Sequence, residues 1–450
     1  MAERRRGARW ARQRTTLAVL ALVLAVAACT PNTADTSRGP TSATSSQTSA
    51  PTSTGALAGV NVPDAFTPLT VQPISQPTFP FPGSDDKYHL AFDVQITNAA
   101  AVPATLDAVD VVDAHDPTKV LASFSGKQLV DPTCNYGDCN RLRLLSQAPS
   151  PDNFIPPQTS RALLLDFTLD TLAQFPQAVM LRLHGTGANN PGAKDPTPFD
   201  NLGNPFDISA GTPRVISPPL HGSNWVALNG CCDPGWPHRD AILSANMKLN
   251  NSQRFAIDWK RTDDQGNFYT GDQTKNESYV DYGSPVYAVA DGTVTSTLDD
   301  MDANVPGILP ASDPVLGPKL TVENIDGNHV ILDIGDGVYA MYAHFIKGSL
   351  LVKPGDKVKK GQQIAQLGNT GNSNAPHLHF QLMNGPSLLD ADGLPYVFDT
   401  FGYQGQVDPA AIWNADNYLS GSYFGPGRLE TAQPRRNQLP GLLALVNFPS

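Results

Sequence analysis

Short apolar-alternating runs closed by Gly, Pro and Asn turns recur along most of this chain, and a chain interrupted so often builds sheets rather than long helices. Tyr88 to Ile96 alternates residue by residue, and Thr105 to Val112 and Ala162 to Leu169 follow in the same manner. Further on, Gly283 to Val294, Gly327 to Ile334, Val352 to Val358 and Lys360 to Ala365 each combine a tight turn with a strand-forming run. The 40 Pro and 37 Gly residues fit this pattern, as does a charged fraction of only 16%. At 450 residues the chain exceeds one ordinary core. The expected fold is mainly β. An immunoglobulin-like β-sandwich over 59–210 precedes an antiparallel β-sheet domain over 211–425, and a C-terminal tail over 426–450 has no assigned role.

Residues 1–28 read as a processing signal. Arg4, Arg5, Arg6, Arg9, Arg12 and Arg14 form a basic start, and Leu17 to Ala28 is an apolar run too short to span a bilayer comfortably. The run ends Val26-Ala27-Ala28-Cys29, which resembles the bacterial lipobox. That resemblance implies a lipidated Cys29 and an extracytoplasmic protein anchored to the cytoplasmic membrane, each buried CH₂ contributing about 0.8 kcal/mol. Residues 29–58 are almost all Ser, Thr, Pro, Ala and Gly, so they read as a disordered tether with a reach of roughly a few tens of ångströms. A net charge of -11 argues against nucleic acid as a partner, because phosphate binding needs clustered Lys and Arg.

Four further cysteines fit an oxidising compartment. Cys134 and Cys139 enclose a tight Asn-Tyr-Gly-Asp loop, as expected of a local disulfide. Cys231 and Cys232 are adjacent, and either bridge each other or pair elsewhere. A four-cysteine zinc site is the competing reading, but neither pair has the usual two-residue spacer.

The strongest chemical signal is Pro376-His377-Leu378-His379-Phe380. On a strand, residues two apart project from one face, so the two imidazoles stand roughly 7 Å apart. One can bind a metal while its neighbour faces water or substrate. The loop Gly368 to Ala375 precedes them, and His344 follows an apolar run in Tyr342-Ala343-His344. His89, His115 and His184, in the first domain, have no partner pattern and read as ordinary surface or half-buried histidines. The first domain therefore reads as a spacer or binding module.

Taken together, G-S-P-V-Y-A-V-A-D-G-T-V, G-N-H-V-I-L, Y-A-H, V-K-P-G-D-K-V-K-K-G-Q-Q-I-A and G-N-T-G-N-S-N-A-P-H-L-H-F occur in one order between Gly283 and Leu382. This segment resembles the lysostaphin/LytM-type zinc metallopeptidases, which cut peptidoglycan peptides. The resemblance implies a grooved antiparallel sheet and Zn²⁺ held by His, Asp and His. It implies His379 as a zinc ligand, Asp258 of Phe255-Ala256-Ile257-Asp258-Trp259 as another, and His344 with His377 as the catalytic pair.

One position departs. The family places its first His ligand four residues before the Asp, and Arg254 stands there. A guanidinium stays protonated and has no lone pair for a metal. The nearest upstream imidazole, His238, is the expected substitute; His221 and His329 are weaker ones. The function expected is endopeptidase cleavage of stem peptides or cross-bridges by a metal-activated water assisted by two histidines. The alternative is a non-catalytic domain that binds peptidoglycan or activates a partner cell-wall hydrolase. The insertion Leu298 to Pro318 exceeds ordinary hairpin length and leans towards a functional loop.

Overall fold

The computed structural model describes residues 57–74, 79–145, 147–208, 211–409, 412 and 428–450. The processing signal, Cys29 and nearly all of the tether lie outside the described residues. Towards the N-terminus the principal strands are β1 (Leu69–Pro73), β2 (Tyr88–Asn98), β3 (Ala104–Asp113), β4 (Val120–Ser125), β5 (Leu142–Arg143), β6 (Ser160–Leu169), β7 (Ala178–Gly187) and β8 (Thr197–Leu202). They form two sheets, ordered β1-β2-β6-β5 and β8-β7-β3-β4. Alternation explains the packing. Leu90, Phe92, Val94 and Ile96 of β2 and Leu163, Leu165 and Phe167 of β6 meet Leu106, Val109, Val111, Leu181 and Leu183 of the facing sheet in one core. The result is a two-sheet sandwich.

The opposite face of the β2–β6 sheet is also covered. Ala91 joins a second core with Phe255, while Ala162 and Leu164 pack against Ile242. An antiparallel sheet commonly leaves one face to water, so this double burial marks an interface within the molecule.

The C-terminal half is built on β9 (Gly222–Leu228), β10 (Ile257–Arg261), β11 (Gly292–Leu298), β12 (His329–Asp333), β13 (Tyr339–Ala343), β14 (Leu378–Met383), β15 (Phe401–Gln406), β16 (Arg428–Arg435) and β17 (Ala444–Phe448). All belong to one sheet, in the order β11-β12-β13-β14-β10-β9-β17-β15-β16, with Lys357–Val358 beyond β11. Pairing along this path is antiparallel throughout. A separate short ladder, Arg214–Ile216 with Tyr396–Phe398, is parallel.

The tail expected over 426–450 is corrected: it supplies β16 and β17, and β17 lies inside the sheet between β9 and β15. Ala444, Val446 and Phe448 enter the main core and Leu445 a second cluster, so both faces of β17 are buried. A short run such as Leu442 to Val446 has no period that separates a strand from a tail, and the partner β9 lies far away in sequence. Disulfides join Cys134 to Cys139 and Cys231 to Cys232.

Candidate metal centre

Strand register brings the first residues together. Asp258 of β10 sits directly opposite His379 of β14, and His379 sits opposite Ala343 of β13. His344 follows β13 in a left-handed backbone conformation with φ 72°, uncommon for a residue with a side chain and typical of sites that hold strain. His377 immediately precedes β14, where Gly368 bridges to it and the Lys260 ammonium donates to the Pro376 carbonyl. All five groups (His238, Asp258, His344, His377 and His379) are buried.

One donor atom each from His238, Asp258 and His379 lies within 4.8 Å of the other two. The carboxylate is the hub. Its Oδ1 is 3.0 Å from His379 Nδ1 and 3.3 Å from His377 Nε2, and its Oδ2 is 3.3 Å from His238 Nε2. Asn229 Nδ2 donates to Oδ2 at 2.7 Å.

Hydrogen bonds on the far side of each ring set the tautomers. His238 Nδ1 lies 3.1 Å from the Ala256 carbonyl, which only accepts, so Nδ1 carries the proton and Nε2 keeps its lone pair. His379 Nε2 lies 2.9 Å from Gln381 Oε1, which leaves the Nδ1 lone pair aimed at Asp258. Lone pairs facing a carboxylate at such distances repel unless a cation or proton lies among them. This donor set, two neutral imidazoles and a carboxylate with outer hydrogen bonds in place, suits zinc.

His344 and His377 are pinned in the same way, Nδ1 donating to the carbonyls of Thr370 at 2.7 Å and Ala375 at 2.8 Å. Their rings lie 4.6 Å apart, and His344 is 5.9 Å from His379. Burial, then the neighbouring His377 and His379, hold the His344 imidazole well below its usual range, so it is a neutral base. Burial would raise Asp258, but positive charge at the His238 and His377 positions, the place a bound cation would take, outweighs it and holds the carboxyl well below its usual range.

These groups open on a cleft of about 310 Å³. Leu309 of the long insertion lines one part of it, and Gln147 of the sandwich and Asp326 line others. The insertion is tied to the loop Gly368 to Ala375: Asn304 Nδ2 donates to the carbonyls of Gly371 and Ser373, and the Gly307 amide to that of Asn374. Burial pushes the Asp326 carboxyl up to about 7, with His379 pulling the other way.

The sequence reading placed His238, Asp258, His344, His377 and His379, and the structure assembles all five. His329 instead binds the Gly327 carbonyl at 2.9 Å, and His221 stacks on Tyr287 at 4.0 Å. Arg254 is fully buried and turned to Asp93 of the sandwich, 3.5 Å away. Asn229, Gln381, Asp326 and Gln147 were missed. Only Gln381 carried a signal, since it continues the i, i+2 face of His377 and His379.

Residues 277–391 match the model of Peptidase family M23. The chain is 34% identical over 101 residues to the peptidoglycan DD-endopeptidase ShyA of Vibrio cholerae, covering 22% of this chain and 18% of that protein. It is 33% identical over 139 residues to the glycyl-glycine endopeptidase ALE-1 of Staphylococcus capitis, covering 30% of this chain and 32% of that protein. The crystallised catalytic domain of lysostaphin from Staphylococcus simulans matches at 26% identity and a TM-score of 0.20, over 34% of this chain and 80% of that one. The chain thus spans less than a third of the length of either curated relative. In sequence, residues 277–391 are therefore similar to peptidase family M23, and the likeness stops short of most of the chain.

Proposed function

We propose that this protein is a zinc-dependent endopeptidase that cuts peptide bonds in peptidoglycan stem peptides or cross-bridges, outside the cytoplasmic membrane on a lipid anchor at Cys29. The observation that carries this reading is the convergence of His238, Asp258 and His379 within 4.8 Å, with both outer ring nitrogens already engaged. His238 Nε2, the Asp258 carboxylate and His379 Nδ1 would hold the ion. When bound, zinc supplies Lewis acidity for a scissile carbonyl and lowers the pKa of water towards about 7.

The chain's own groups do the rest. Nε2 of His344 and of His377 face the cleft as bases, because each Nδ1–H is spent on a backbone carbonyl. Either Nε2 takes a proton and then donates it, to the leaving amine or to the developing oxyanion. His377 Nε2 lies 3.3 Å from Asp258, so a proton it takes up stays beside the carboxylate. Cleft walls from the insertion and the sandwich orient an extended peptide. The strand order of the sandwich supports the immunoglobulin-like reading of that domain.

The non-catalytic alternative rested on Arg254, and a third donor from His238 removes its main support. Two measurements test the proposal. The purified protein should carry one zinc per chain, and His377→Ala should abolish cleavage of cross-linked peptidoglycan while leaving that zinc in place. A metal-free, folded protein would favour the non-catalytic alternative instead.

A further inference from the structure

We propose that Asp93, on the sandwich, is a positioning residue for the metal centre, and that the sandwich is thereby a working part of the peptidase. The inference rests on His238 as a ligand and adds what puts it there. His238 lies on the connection between β9 and Leu243, which holds neither strand nor helix. A ligand on such a segment keeps its geometry only if its neighbours are held from outside.

The neighbours are held by the sandwich. Arg239, next to the ligand, forms an ion pair with Asp93 and donates to the carbonyls of Phe92 at 3.4 Å and Leu165 at 3.2 Å. Asp240 pairs with Arg143. The Ile242 carbonyl accepts from Gln147 Nε2 at 3.1 Å. On the other side the Arg239 Nε donates to the Cys232 carbonyl at 3.1 Å, which fixes the start of the loop to the same guanidinium.

Asp93 reaches the second ligand segment as well. Its Oδ2 accepts from Asn251 at 3.1 Å and from Arg254 at 3.5 Å, just before the strand that carries Asp258. Asp93, Arg239, Asn251 and Arg254 are all fully buried. A single carboxylate therefore sets the loop of His238 against the root of Asp258. On β2, Asp93 points away from the sandwich core, where a spacer domain would present a solvated residue. Burying a charge there costs several kcal/mol unless partners compensate it. Arg254 Nε and Nη2 find no hydrogen-bond partner among the described residues, so its charge leans on Asp93. Arg254, unable to bind metal, binds the sandwich instead, and the substitute ligand His238 comes from a loop that the sandwich fixes.

The test uses the full chain and titrates Co²⁺ alone, read by visible absorption, with Zn²⁺ competition for affinity. Asp93→Asn should weaken binding by about 10–100-fold, the range for an outer partner of a metal ligand. Its cobalt bands should shift towards those of His238→Ala. Arg143→Gln removes one tie only and should weaken binding several-fold in the same direction. Val109→Ala, which loosens the sandwich core without touching the loop, should leave affinity and bands unchanged. Wild-type affinity and bands in both Asp93→Asn and Arg143→Gln would overturn the proposal. If Asp93→Asn fails to fold by circular dichroism, Arg143→Gln decides on the same criteria. A wild-type chain that takes up no cobalt would instead overturn the metal reading on which the proposal stands.

Discussion

Two of the three proposed metal ligands stand on strands and the third on a loop, and the two regions owe their geometry to different parts of the molecule. Asp258 and His379 face each other because β10 and β14 pair in register, a local property of one sheet. His238 reaches them because the segment around it is clamped to another domain through Asp93, Arg143 and Gln147. A strand ladder fixes a side chain through its own backbone bonds, whereas a loop borrows rigidity from whatever it touches. On the proposed reading, a neighbouring domain holds the replacement for the ligand that position 254 does not supply.

The comparison breaks first at the ligands themselves. His379→Ala should reduce peptidoglycan cleavage to background and strip the zinc, measured by turbidity loss and metal analysis. His238→Ala should lower zinc affinity by more than the roughly 100-fold typical of losing an outer-shell partner, while the β10–β14 ladder stays protected in hydrogen exchange. Zinc binding that survives His238→Ala would reduce the loop to packing. A sharper version restores the family pattern: Arg254→His in the His238→Ala background should recover no metal, because position 254 faces Asp93. Recovery would mean that this position still addresses the centre.

Smaller effects concern the supports. Leu445→Ala on β17 should cost about 2–4 kcal/mol in denaturant unfolding, as for a buried leucine truncated in a packed core. Asp233, beside the vicinal cysteines, is pushed up to about 6 by burial, then by the Asp166 charge. A folded-state pKa above the unfolded value means that ionised Asp233 works against folding at neutral pH and ceases to do so below about pH 4. Asp233→Asn should therefore stabilise by about 1–2 kcal/mol at pH 7, with the gain vanishing near pH 4. A pH-independent gain would assign it to packing.

Much of this was legible in the residues. The i, i+2 spacing of His377 and His379, the Asp258 segment and the turn-strand units each carry their geometry in a short window. His238 was legible only by elimination, as the nearest imidazole upstream of a lost ligand. Its placement depends on Asp93, which in sequence is an ordinary polar interruption of the β2 alternation, and no local pattern distinguishes a solvated carboxylate from a clamped one. The C-terminal strands escaped for a related reason. Ala444 to Phe448 reads as a strand only in the company of β9, and distance along the chain hides that company. Asn229 and Gln147 belong to loops, where periodicity says nothing.

The interior position of β17 has a consequence for synthesis. Trp225 of β9 pairs with Val446, so one flank of β9 waits for residues made far later, at roughly 5–20 residues per second a delay on the order of 10–40 s. The other flank of β9 adjoins β10, which bears Asp258. The ribosome must therefore reach the codons of Ala444 to Phe448 before this sheet can close, and until then the strand that bears Asp258 rests on a half-built neighbour.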